Sequence, residues 1–117
     1  MLEEKAKELG RMIGQSPEYQ ALKRSSDGLN EDREAVTLLK EMERLRGEAQ
    51  AMIQRGEEPT AEMEEQLDSL LEKIQARPVY QRAVASQENF DKVMLRVNQW
   101  IMDGMKKGAV SPIITLS

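Results

Sequence analysis

An all-α fold, an elongated antiparallel helical bundle of about five helices built around a central helical hairpin, is predicted by three observations. Apolar residues recur at steps of three and four along most of the chain. Two such stretches are joined by the short turn Arg55-Gly56-Glu57-Glu58-Pro59. Serine, threonine, proline and glycine punctuate the remainder where helices start and stop. The first arm of the hairpin carries Ala35, Leu38, Met42, Leu45, Ala49 and Met52, and the second carries Met63, Leu67, Leu70 and Ile74. This is the a/d rhythm of a helix seam. Leu38, Met42, Leu45, Met52, Met63, Leu67, Leu70 and Ile74 are its predicted core, with Val36, Leu39, Ile53 and Leu71 widening the stripe. So short a turn brings the arms back antiparallel and close.

In chain order, Leu2, Ala6, Leu9 and Ile13 step by four, three and four, which predicts a first helix over 2–13 with Glu3 and Glu4 at the positive end of its dipole. Ser16-Pro17-Glu18 restarts the chain: a serine cap, a proline at the first helical position and an acid in the first turn. The second helix, 17–28, lines its inner face with Tyr19, Leu22, Ser26 and Leu29 and weakens at Ser25-Ser26-Asp27-Gly28. Asn30-Glu31-Asp32-Arg33 reads as the cap and first turn of the long arm, 31–55, which ends at Gly56, with a helix continuous through Leu29 as the alternative. Thr60 caps the return arm, 60–76, and Pro78 opens the last helix, 78–106. That helix aligns Val79 or Tyr80, Ala83, Gln87, Phe90, Met94, Val97, Ile101 and Met105, with Val84, Val93 and Trp100 alongside. Residues 1–108 read as one helical domain, and 109–117, broken by Pro112, as an irregular tail. The two restarts echo each other: Ile13-Gly14-Gln15-Ser16-Pro17-Glu18-Tyr19-Gln20 resembles the later Ile74-Gln75-Ala76-Arg77-Pro78-Val79-Tyr80-Gln81, as if both breaks were built alike.

Composition narrows the function. At 117 residues the chain suits a modest core rather than a deep catalytic pocket with its supporting shell. Net charge is −4, the wrong sign for a phosphate-binding surface, so no direct nucleic-acid ligand is expected. No apolar run approaches a membrane span and the first residues lack a signal-peptide profile, which predicts a cytoplasmic protein. With no cysteine there is neither a disulfide nor a thiolate ligand, and with no histidine the usual imidazole base and metal ligand are missing. The acids Glu41, Glu43, Glu62, Glu64, Glu65, Asp68 and Glu72 read as a solvated face beside Lys40, Arg44 and Lys73. No catalytic, metal or cofactor-binding residue is predicted, and no cofactor. Tyr19 and Tyr80 fall on apolar stripes as core-edge residues. Met42, Met52 and Met63 belong to the seam, whereas Met94, Met102 and Met105 with Trp100 offer either core or an adaptable partner-binding surface.

Leu9 and Ile13, then Ser16-Pro17-Glu18-Tyr19-Gln20-Ala21-Leu22-Lys23, Asp32-Arg33-Glu34-Ala35, the turn Gly56-Glu57-Glu58-Pro59, and Pro78-Val79-Tyr80 leading to Phe90, Val93, Val97-Asn98 and Ile101 follow in an order that resembles the YlbF/YmcA family of small bacterial helical proteins. The resemblance spans residues 6 to about 105. It implies an all-helical fold that assembles as a dimer or higher oligomer without catalytic residues. It also implies a regulatory role with partner proteins in competence, sporulation and biofilm formation, through a complex that modulates an endoribonuclease in messenger RNA maturation. Some relatives hold iron–sulfur clusters in that complex through cysteines; this chain has none, which separates it from that chemistry.

Two function classes stay open at this point: an oligomeric adaptor or regulator acting through protein contacts, and a helical small-molecule or nucleic-acid binding module with its pocket between helices. A basic face with exposed aromatics would mark the second. The apolar stripes exceed what slender helices of one chain bury, which predicts a homodimer joined through the final helix around Phe90, Met94, Val97, Trp100 and Ile101, packed against the central hairpin.

Overall fold

The computed structural model describes the backbone of residues 1–116 and the side chains of residues 1–109. Five helices follow one another: α1 (Leu2–Gly14), α2 (Pro17–Glu31), α3 (Arg33–Gln54), α4 (Ala61–Gln75) and α5 (Pro78–Leu116). Their starts are chemically explicit. Ser16 Oγ accepts from the Tyr19 N–H at 3.2 Å, Asp32 Oδ1 from that of Ala35 at 2.8 Å, and Thr60 Oγ1 from that of Met63 at 3.1 Å. Each satisfies a helix N–H that has no carbonyl partner within its own helix. The end of α3 is equally defined: Gly56, at φ +82°, donates to the Ile53 carbonyl at 3.0 Å, and Glu57 donates to that of Met52 at 2.8 Å. That pair of bonds is the Schellman arrangement, whose left-handed residue glycine adopts without steric cost.

Two boundaries differ from expectation. The second helix continues through Ser25-Ser26-Asp27-Gly28 to Glu31, so the break falls at Asp32. Ser25 Oγ folds back to donate to the Leu22 carbonyl at 3.0 Å, and packing of α2 on α5 outweighs the weak local propensity. The backbone of α5 stays helical to Leu116, past the predicted end near 106 and through the stretch read as a tail; Ser117 lies outside the described residues. A proline within a helix removes one N–H and bends the ladder when the turns on either side persist.

Two antiparallel pairs make up the architecture. α3 and α4 form the central hairpin, and α2 packs along the first half of α5, a pairing fixed by Tyr19 against Phe90 at one end and Asp32 against Arg77 at the other. α1 makes its few contacts chiefly with α2. The pairs join at a small core in which Ala35, Met42 and Ile74 are enclosed by Leu29, Leu38, Leu39, Leu70, Leu71, Val79 and Tyr80. Of the seam residues, Leu38, Met52, Met63, Leu67 and Leu70 are half-buried, while Met42, Leu45 and Ile74 are buried.

The restarts at Gln15-Ser16 and Ala76-Arg77 are alike in geometry as well as sequence. Gln20 Nε2 donates to the Gly14 carbonyl at 2.9 Å, and Gln81 Nε2 donates to the Gln75 carbonyl at 2.8 Å, in each case six residues back across the break. Both bonds hand a side-chain donor to a carbonyl left open where a helix ends.

The molecule measures 68 × 37 × 20 Å with a radius of gyration of 21.5 Å. A compact chain of this length has a radius of about 13 Å. Its surface is 9355 Å², against roughly 6,500 Å² for a compact monomer of this mass.

Candidate protein-interaction surface

The predicted interface residues separate into two groups. Val97 is 5% exposed, and Phe90 and Met94 are half-buried, with the Phe90 ring 5.5 Å from that of Tyr19 at a 44° tilt. Phe90 thereby serves the α2–α5 pairing, and Val97 is enclosed within the protomer. Trp100 and Ile101, by contrast, are 66% and 43% exposed. With Leu95, Met102 and Met105 they make up a set of apolar side chains exposed around the distal half of α5, beyond the start of α2. Leu95 falls off the stripe read from the sequence, which follows the inner face of α5. The signal that would have found it is a second, outer row at Val84, Leu95 and Met102. On α1, Leu2 is 86% exposed and Met12 is exposed as well, although Leu2 opens an apolar stripe.

The charged groups sit elsewhere. Glu62, Glu64 and Glu65 are exposed, and Arg44 bridges Glu41 and Glu48 along α3. The Arg44 hydrogen bond holds the Glu41 carboxyl below its ordinary range. Among the described residues no group of three or more carboxylate, histidine or cysteine side chains is placed to hold a metal ion. No helix among them is long and apolar enough to cross a membrane.

One polar cluster is structural rather than solvated, and it escapes a reading by periodicity. Arg77, in the break before α5, donates through Nη2 to Asp32 Oδ2 at 2.8 Å and through Nη1 to Glu34 Oε2 at 2.7 Å. The Arg77 bond, and after it the Ala35 N–H, hold the Asp32 carboxyl below the usual carboxylate range. Asp32 in turn raises the Arg77 guanidinium further above its already high value. The cluster ties the α2–α3 junction to the α4–α5 junction where the two helix pairs meet. The shared clue in the sequence is an arginine in one break and an acid at the other, but nothing in one sequence says that the breaks adjoin.

The arrangement is therefore an elongated helical frame with an exposed apolar surface at one end. The family described as "Control of competence regulator ComK, YlbF/YmcA" matches residues 2–106. The chain belongs to the YlbF/YmcA family. Relatives include a UPF0342 protein of Streptococcus mutans, 36% identical over 83 residues that cover 71% of this chain and 74% of the relative. A UPF0342 protein of Streptococcus gordonii is 29% identical over 98 residues, covering 84% and 88% of the two chains. One of Limosilactobacillus fermentum is 27% identical over 96 residues, covering 82% and 80%. Membership of the YlbF/YmcA family agrees with a regulatory protein, and the match takes in all of α1 to α4 and most of α5.

Proposed function

We propose that this YlbF/YmcA protein is a non-enzymatic adaptor that works in the cytoplasm by binding protein, as a homodimer joined through the distal half of α5. The observation that carries the reading is the exposed apolar surface of Leu95, Trp100, Ile101, Met102 and Met105 on a protein whose surface, 9355 Å², is far larger than its mass requires. The excess over a compact monomer is on the order of 2,900 Å². A permanent dimer interface buries about 1,000–2,500 Å² on each partner, so one such interface accounts for between about a third and most of it. Phe90, Met94 and Val97, turned mainly toward the protomer, hold α5 in place, while Trp100 and Ile101 face the second copy. Regulation follows the line that the family resemblance implies, contact with a heterologous partner in the control of an endoribonuclease acting on messenger RNA.

Sedimentation velocity at micromolar concentration tests the assembly: the parent sediments as a dimer, and Trp100→Lys with Met105→Lys sediments as a folded monomer. A parent that is monomeric and stable would sink the reading. For the regulatory part, transcript ends are mapped in cells that lack the protein and in cells complemented with the parent or the double-lysine variant. Restoration by the parent alone is the expected result, and unchanged transcript ends in the deletion would remove messenger RNA processing from the account.

A further inference from the structure

The offset that carries Ile13 onto Ile74, and so relates the two helix restarts, extends well beyond them. Moved by that offset, Leu2, Ala6, Leu9 and Ile13 of α1 coincide with Met63, Leu67, Leu70 and Ile74 of α4, the apolar face that α3 covers. The start of α2 coincides with the start of α5, and the α2–α5 pair is antiparallel, so its two ends are equivalent in kind. Continuing the offset, α3 corresponds to residues 94–115, the distal half of α5. One position separates the two halves in behaviour. Asp32 caps a new helix and lets the chain turn back over α4, whereas its counterpart, Val93, has no side-chain oxygen with which to cap, and α5 runs on.

The first half of the chain thus keeps an apolar face on α1 with nothing like α3 laid over it: Leu2 and Ala6 are exposed, and Leu9 and Ile13 only half-buried. The helix that corresponds to α3 projects away with Trp100, Ile101, Met102 and Met105 exposed. The bare face and the projecting helix are complementary, and each protomer carries one of each.

We infer that the distal α5 of a second copy lies on α1 in the position that α3 takes on α4, and that the exchange is reciprocal, closing a two-fold dimer. This rests on the homodimer reading above and adds to it the second wall of the interface and its register. In the hairpin α3 ends at Gln54 and α4 begins at Ala61, and one groove is lined by Glu41, Arg44 and Leu45 from α3 and by Gln66, Ser69, Leu70 and Lys73 from α4, so facing positions add to about 114. The offset leaves that sum unchanged between α1 and the second copy's α5. Leu9 then meets Met105, Met12 meets Met102 and Ile13 meets Ile101, apolar in every case. Two-fold closure also explains why both surfaces are exposed in a single chain, since a self-complementary interface uses each twice.

The absence of cysteine makes the test direct. Chains carrying Ala6→Cys are mixed with chains carrying Gly108→Cys, at positions that are exposed in the protomer and face each other in the inferred register. Mild oxidation of the mixture should give a disulfide-linked heterodimer that neither chain forms alone. As a second measurement, Leu2→Glu with Ala6→Glu, also at exposed positions, should keep the parent's helical circular dichroism and raise the dimer dissociation constant at least tenfold. A dimer of unchanged affinity with no interchain link would overturn the exchange and leave the homodimer standing. So would an intramolecular disulfide in the Ala6→Cys/Gly108→Cys double variant, with α1 lying on its own α5. A parent that is monomeric throughout would remove both.

Discussion

Arg77 and Asp32 are 45 residues apart in the chain and meet at 2.8 Å, where the same aspartate also caps α3. The guanidinium and carboxylate side chains are 28% and 19% exposed. This contact couples a helix start to a tertiary junction, so the capping geometry of α3 and the docking of α5 depend on one carboxylate.

Its pH dependence follows from the direction of the shift. Folding lowers the Asp32 pKa, so the stabilisation is complete above the unfolded value, about 4, and disappears as pH falls through the lower folded value. Arg77→Gln is therefore expected to lower the urea midpoint at pH 7, with the gap from the parent narrowing below about pH 4. A gap of equal size at pH 7 and pH 3 would assign the loss to packing of the arginine stem instead.

Burial ranks the apolar contacts. Ile74 is fully enclosed and Leu45 nearly so, and either replacement by Ala should cost roughly 2–5 kcal/mol. Leu67, half-buried in the same seam, should cost less. Urea unfolding of the three variants checks the order, and a Leu67 variant as damaged as that of Ile74 would show that the hairpin buries a different face.

Two glycines should respond oppositely to alanine. At Gly56 the backbone sits at φ +82°, which an L side chain enters at a cost of about 1–2 kcal/mol. Gly47 lies inside α3 with open space where a Cβ would go, and Ala there should stabilise by about 0.5–1 kcal/mol. Thermal unfolding of both variants decides the sign.

Trp100 is the single tryptophan and a built-in reporter of assembly. Its emission should shift to longer wavelength as the protein is diluted from micromolar to nanomolar and the ring moves from an interface into water. Trp100→Ala should leave helicity intact and weaken self-association by more than tenfold, as large central aromatics do at interfaces. An emission maximum independent of concentration in a sedimenting dimer would place the ring outside the contact.

Local chemistry and periodicity account for much of what the sequence reveals about this fold. The caps at Ser16 and Thr60, the left-handed Gly56, Pro78 at the first position of α5 and the hairpin seam are all set by a few neighbouring residues. The pairing of α2 with α5 is different in kind. Tyr19 and Phe90 each show that they lie on an apolar stripe, but a stripe does not name its partner, and the same holds for Arg77 and Asp32. For that reason Phe90 and Val97 read as interface residues from sequence, although the fold turns them toward the protomer. Trp100 and Ile101 lie past the start of α2 and remain exposed. The length of α5 is obscured because Pro112 and two glycines argue for an end that the backbone does not take there.

The two helix pairs also impose an order on synthesis. The hairpin of α3 and α4 closes through contacts between neighbours in the chain and can form once Gln75 has left the ribosome. α2 is made earlier but must wait, because the Phe90 ring that Tyr19 packs against is made only after the whole hairpin. At about 5–20 residues per second the stretch from Gln75 to Phe90 takes about 1–3 s. Through it the apolar side of α2 stands unpaired beside a hairpin already closed, so the nascent chain passes through a stage with one finished arm and one bare one, and a truncated product ending before Pro78 would be caught there.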